Sequence, residues 1–137
     1  MNKKETPQGP NESAEPTRAQ LEILQVLWKN GPSTVRFVND QLNQQQKQSL
    51  TYTSTLKLMQ IMHEKGLLQR DESNMTHVYS ALLEEQKTKG IVLKKFVDSM
   101  YNGNAKSLML ELLGNEKMKA GDLDSIKEML KKLDEDQ

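Results

Sequence analysis

Three short apolar-striped segments, separated by helix breakers and followed by two brief strand-like runs around a polar turn, leave this chain few folds to choose from. The first segment opens at Thr17, whose hydroxyl can cap a helix while Gln20 reaches back three residues later, the reciprocal pairing of a capping box. Leu21, Leu24, Leu27 and Trp28 then recur at helical spacing, and Asn30, Gly31 and Pro32 end the run. Ser33 or Thr34 can cap a second helix with Val35, Val38 and Leu42 on one stripe. Residues 41–49 hold five glutamines and no apolar side chain except Leu42, which predicts a solvated linker. A third helix is predicted from Thr51 to Lys65, with Leu58, Met59 and Met62 facing inward and Gly66 ending it. Leu67 to Arg70 and His77 to Ser80 read as strands joined by the polar turn Asp71–Thr76. Three short helices followed by a hairpin is the order of a winged helix-turn-helix.

The flanks read differently. Residues 1–16 carry three of the four prolines, five charged side chains and only Met1 and Ala14 as apolar residues, so a disordered tail is predicted there. Beyond residue 83 a helix is predicted over Glu84–Met100, broken by Asn102, Gly103 and Asn104. Two more follow, over Lys106–Leu113 and, capped by Asp122, over Asp122–Leu133. Leu108, Met109, Leu110, Leu112 and Leu113 are too apolar to be left in water by a monomer. Leu123, Ile126, Leu130 and Leu133 form a seam of only about one and a half heptads, below the three or four that stand alone. The predicted class is mostly α with a small β-hairpin. It divides into a tail over 1–16, a winged-helix DNA-binding domain over 17–83 and a helical dimerisation region over 84–137.

Composition removes most other chemistries. The chain has no cysteine, so disulfides, thiolate metal sites and thiol nucleophiles are out. Its apolar runs are short, which predicts neither a signal peptide nor a membrane partner, and a cytoplasmic location. The two histidines, His63 and His77, lack metalloprotease spacing, and Glu64, Asp71 and Glu72 read as solvated charges, so no metal site is expected. No phosphate-cradling glycine loop or nucleophile elbow is present, hence no cofactor, no catalytic residue and no enzyme is expected.

Nucleic-acid binding has a geometric case. The third helix opens with Thr51, Tyr52, Thr53, Ser54 and Thr55, an exposed first turn of hydroxyls that can meet phosphates or bases, while Tyr52 and the threonine methyls can touch thymine methyls. Lys57 lies one turn on. Arg36 near the second helix start, Arg70 on the hairpin and Asn74, Thr76 and His77 of the wing are placed to hold the flanking backbone. Electrostatics adds nothing overall: 19 Lys+Arg balance 19 Asp+Glu, and over residues 50–83 Lys57, Lys65 and Arg70 balance Glu64, Asp71 and Glu72. A protein-interaction module built on the same winged helix, without specific DNA binding, is the alternative reading.

Several pieces together resemble the penicillinase-repressor (BlaI/MecI/CopY) family. They are Thr17-x-x-Gln20-Leu21-Glu22-Ile23-Leu24 with Leu27-Trp28 and Gly31-Pro32, then Tyr52-Thr53-Ser54-Thr55-Leu56-Lys57-x-Met59. Glu64-Lys65-Gly66-Leu67-Leu68, His77-Val78-Tyr79, the Asn102-Gly103 break and Ser107-Leu108 complete the set. The resemblance spans about Thr17 to Leu133. It implies a bacterial transcriptional repressor with an N-terminal winged helix on a double-stranded operator and a C-terminal segment that makes a homodimer. By position the DNA-contacting helix falls on Thr51 to Lys57 and the wing on Ser73 to His77. Phe96, Leu108, Leu112, Ile126 and Leu130 are the expected dimer contacts, and an inducer or sensor protein the expected further partner. The chain departs from the family pattern in lacking the cysteines of copper-responsive members, and in carrying Glu111-Leu112 where beta-lactam-responsive members are cleaved at an Asn-Phe pair.

Overall fold

A computed structural model describes residues 14–46, 49–115 and 119–135. Its elements are α1 (Arg18–Asn30), β1 (Ser33–Thr34), α2 (Val35–Gln46), α3 (Tyr52–Glu64), β2 (Leu68–Asp71), β3 (Val78–Ala81), α4 (Glu85–Tyr101), α5 (Ala105–Asn115) and α6 (Ala120–Glu135). Two compact units divide inside α4, residues 1–93 and 94–137.

In the first unit each helix is bounded by the chemistry its sequence offers. Thr17 Oγ1 accepts from the Gln20 amide at 3.2 Å and Gln20 Oε1 accepts from the Thr17 amide at 2.9 Å, so both halves of the capping box form. Gly31, at φ 80°, closes α1 by donating to the Leu27 carbonyl at 2.7 Å. Thr34 caps α2 by accepting from the Phe37 amide at 3.1 Å. At the end of α3 the Leu67 amide donates to the Met62 carbonyl and the Gly66 amide to the His63 carbonyl. This double return requires the left-handed φ of 80° at Gly66.

Several sequence expectations are corrected here. The glutamine-rich stretch is not a linker: α2 runs through Gln46, because glutamine is a good helix former and Leu42, 3% exposed, keeps one face on the core. Residues 47 and 48 lie outside the described residues. Ser33 and Thr34 form a two-residue strand, which makes the sheet three-stranded in the order β1-β3-β2, with Ser33 opposite Tyr79 and Leu68 opposite Ala81. Of the predicted tail, residues 1–13 lie outside the description. Ala14 packs on the core and Pro16 is buried, so order begins before Thr17. Helix α6 starts at Ala120, which puts Asp122 in its first turn rather than at its cap.

The core gathers Ile23, Leu24, Val26 and Leu27 of α1, Val35, Val38 and Leu42 of α2, Met59 and Met62 of α3, and Leu67, Leu68, Tyr79 and Leu83 around the sheet. Trp28 lies at its margin and donates its indole N–H to the Leu83 carbonyl at 3.0 Å, fixing the exit of β3 against α1. The three-helix and hairpin arrangement is a winged helix-turn-helix.

The unit over 94–137 is of another kind. Among its described residues Val97 alone is a buried hydrophobic, at 8% exposure. Met100, Leu110, Leu112, Leu113, Met129, Leu130 and Leu133 stand exposed, and α6 has no buried residue at all. Asn102 (φ 51°) and Gly103 (φ 80°) reverse the chain after α4, the Gly103 amide donating to the Val97 carbonyl at 3.1 Å. Asn104 then caps α5 by accepting from the Ser107 amide at 3.2 Å.

Candidate nucleic-acid interface

The approach to α3 is set by two asparagines of α2. Asn39, 4% exposed, donates its amide to the Thr55 hydroxyl at 2.8 Å and to the carbonyls of Leu50 and Thr51 at 3.1 Å each. Asn43 accepts from the Leu50 amide at 2.7 Å and donates to the Leu50 carbonyl at 3.1 Å. These bonds hold the segment entering α3, where the helix ladder reaches back only to the Thr51 carbonyl, which accepts from the Thr55 amide at 3.2 Å. They also bury Thr55, at 3% exposure, so the hydroxyl-rich first turn is exposed only as far as Ser54.

Thr51 is the N-cap of α3. Its hydroxyl accepts from the Ser54 amide at 3.0 Å and donates to the Ser54 hydroxyl at 2.9 Å, so these two residues shape the helix start. The buried side chains Thr55, Met59 and Met62 define the inner face. At 100° per residue the opposite face carries Thr53, Lys57, Gln60 and Glu64, all exposed. Arg36, the second residue of α2, lies with its guanidinium carbon 4.4 Å from the centroid of the Tyr52 ring. This cation–π contact holds the charge beside the start of α3. Among the described residues Arg36 has no carboxylate partner, so its five donors remain available. No acidic residue occupies the first turn of α3, which leaves the positive end of its dipole uncompensated. Arg36 and the helix N-terminus thus place positive charge at the start of α3 and Lys57 adds one at its middle, while Glu64 is followed directly by Lys65 at its end.

Arg70 is engaged within the hairpin. Its Nε donates to Glu72 Oε2 at 2.6 Å, and its pKa is pushed up, first by a side-chain hydrogen bond with its cross-strand partner Tyr79 and then by Glu72, against some burial. In the turn, Asp71 Oδ1 accepts from the Ser73 amide at 2.9 Å. Hydrogen bonds from the Ser73 backbone and hydroxyl, with a smaller contribution from His77, hold the Asp71 carboxyl below the usual carboxylate range. Asn74, Thr76 and His77 are exposed around the same turn.

A cleft of about 150 Å³ joins the start of α2, the flank of α3 and the wing, and brings Arg36, Tyr52, Thr76 and His77 together. Thr51, Thr53, Ser54, Lys57, Arg70 and Asn74 do not line it. Gln60 and Met75 do, and sequence reasoning passed over both. Gln60 was legible as the residue seven beyond Thr53 on the same helical face. Met75, fully exposed, has no periodic signal because it sits in a turn.

A model of the penicillinase repressor family matches residues 16–132. The chain belongs to that family. Its relatives within the penicillinase repressor family include the methicillin resistance regulatory protein MecI of Mammaliicoccus sciuri, 23% identical over 122 residues that cover 89% of this chain and 98% of MecI. The penicillinase repressor of Staphylococcus aureus is 24% identical over 121 residues (88% and 94% covered), and that of Bacillus licheniformis 24% over 112 (82% and 86%). A MarR family protein from Bacillus stearothermophilus aligns in structure with a TM-score of 0.49 at 20% identity, covering 90% of this chain and 76% of that one. As a penicillinase repressor family member the chain is a transcriptional regulator. The matched residues take in the whole of the exposed α3 face and the wing. Among the described residues no helix is long and apolar enough to cross a membrane.

Proposed function

We propose that this family member is a homodimeric, sequence-specific repressor that places α3 in the major groove of a palindromic operator and its wing on the flanking backbone. The observation that carries the reading is the exposed α3 face, Thr53 and Lys57, beside an Arg36 held on Tyr52. Tyr52 and Ser54 extend that face, and Asn74, Thr76 and His77 meet phosphates on the wing side. The Arg70–Glu72 pair stiffens the hairpin, and Thr51 orders the helix start. Relatives named as repressors and resistance regulators support the same reading.

Dimerisation is assigned to residues 84–137, through Phe96, Leu108, Leu112, Ile126 and Leu130. A helical segment of this length with one buried hydrophobic among its described residues has too thin a core to hold itself together, and a second copy offers the missing apolar surface. Two half-sites engaged at once also offset a modest charge, because the second contact is made at high effective concentration. Release from DNA is assigned to an inducer or sensor protein.

Footprinting on genomic fragments tests this. Two protected half-sites in an inverted repeat, their centres one helical turn or a small multiple apart, are expected. Affinity for bulk DNA that does not fall with salt would instead favour the protein-interaction reading.

A further inference from the structure

We infer that Gln60 reads the major-groove edge of an adenine in each operator half-site. The inference deepens the proposed DNA-binding function and rests on it.

The polar groups of α3 are not equally free. The Thr51 and Ser54 hydroxyls bind each other, and the Thr55 hydroxyl is buried on Asn39. Gln60 is exposed, and its amide has no hydrogen-bond partner among the described residues. Thr53, Leu56, Lys57 and Gln60 stand at i, i+3, i+4 and i+7, the same spacing by which the reading helix of a homeodomain contacts bases. Thr53 and Gln60 are separated by about 10 Å along the axis, at 1.5 Å per residue, so both fit over a few successive base pairs.

The chemistry at the three exposed positions differs. Lys57 can only donate, and a threonine hydroxyl matches any base edge that offers a donor or an acceptor. The Gln60 carboxamide is the one group of the set that donates and accepts side by side. That is the complement of adenine, whose N7 accepts while its N6 amino group donates. Gln60 also lines the cleft shared with Tyr52 and with Met75, Thr76 and His77 of the wing. Its position between helix and wing ties the base it meets to the backbone register that the wing sets. Glu64, one turn further, marks the end of the readable face, because a carboxylate is repelled by the phosphates there.

The full-length protein is titrated against the operator recovered by footprinting, with each adenine of one half-site replaced in turn by 7-deazaadenine, which lacks the N7 acceptor. Wild type, Gln60→Ala, Thr53→Ala and Lys57→Ala are compared, each confirmed folded by circular dichroism. At one adenine the replacement is expected to weaken wild type by about five- to 150-fold. Gln60→Ala is expected to bind the unmodified operator more weakly by a similar factor and to be indifferent to the replacement at that position alone. If Gln60→Ala keeps the wild-type sensitivity at every adenine while Thr53→Ala and Lys57→Ala lose affinity, the assignment to Gln60 is overturned and the DNA-binding function stands. If wild type binds operator and unrelated DNA equally, both fall.

Discussion

Asn39 donates its side-chain amide to the Thr55 hydroxyl at 2.8 Å, a bond between α2 and α3 with both partners buried. The same amide group reaches the Leu50 and Thr51 carbonyls, so one side chain sets the angle of α2 against the start of α3. Replacing Asn39 by Ala leaves the buried Thr55 hydroxyl and the Thr51 carbonyl each short of one donor, while the Leu50 carbonyl keeps its bond from Asn43. The expected loss is about 1–3 kcal/mol of unfolding free energy. Urea denaturation checks it, with a lower midpoint at unchanged slope expected; an unchanged midpoint would contradict the role given to this side chain.

The capping box at Thr17 makes a smaller and more local contribution. Thr17→Ala removes the acceptor for the Gln20 amide and is expected to cost about 1 kcal/mol, since α1 supplies Ile23, Leu24, Val26 and Leu27 to the core. Thr17→Ser should restore most of it. Equal thermal midpoints for the alanine variant and wild type would show that the cap does not hold α1.

Much of this fold was legible because side-chain pattern and backbone chemistry agreed. Thr17 with Gln20, Gly31, Gly66 and the Asn102-Gly103 break each occupy the position their chemistry suits, and the stripe Val35, Val38 and Leu42 is buried as its spacing implied. Features that depend on distant partners were not legible. Thr55 looks like any exposed hydroxyl until Asn39 is packed on it. Ser33-Thr34 is too short to show alternation, and it becomes a strand only because Val78 and Tyr79 lie beside it. At the candidate site the hydroxyls and Lys57 were readable from composition. The pairing of Arg70 with Glu72 and the stacking of Arg36 on Tyr52 depend on side-chain directions that spacing does not give.

The wing has a definite pH response. Asp71 has a folded-state pKa below the ordinary aspartate value of 3.8, so the stabilisation it gives the turn is fully present above that value and is lost as pH falls through the lower, folded one. The Asp71–Ser73 bond itself is therefore expected to persist from neutrality down to about pH 5. The Ser73 amide resonance should report a titration midpoint below 3.8, and Asp71→Asn should abolish it. A midpoint above 3.8 would mean that the Asp71–Ser73 bond is not made in solution.

Cutting the chain should separate DNA contact from assembly. Thr88, at 3% exposure, is buried beyond the hairpin, and the first compact unit extends to residue 93, so the informative truncation follows Leu93 rather than Leu83. The fragment is expected to stay folded, to sediment as a monomer, and to bind operator at least tenfold more weakly, because only one half-site is then held at a time. A fragment that remains dimeric would move the interface out of residues 94–137.

Contact between the exposed face of α3 and DNA is measured by fluorescence anisotropy titration of a labelled operator. The proteins compared are wild type and the double variant Thr53→Ala/Lys57→Ala, across a series of salt concentrations. Both substitutions lie on the solvent face opposite Met59 and Met62, so folding should be unaffected. The double variant is expected to lose at least tenfold in affinity, with the salt slope reduced by about one for each Lys57 that meets a phosphate. Equal affinity and equal slope in a folded double variant would show that this face of α3 does not contact DNA.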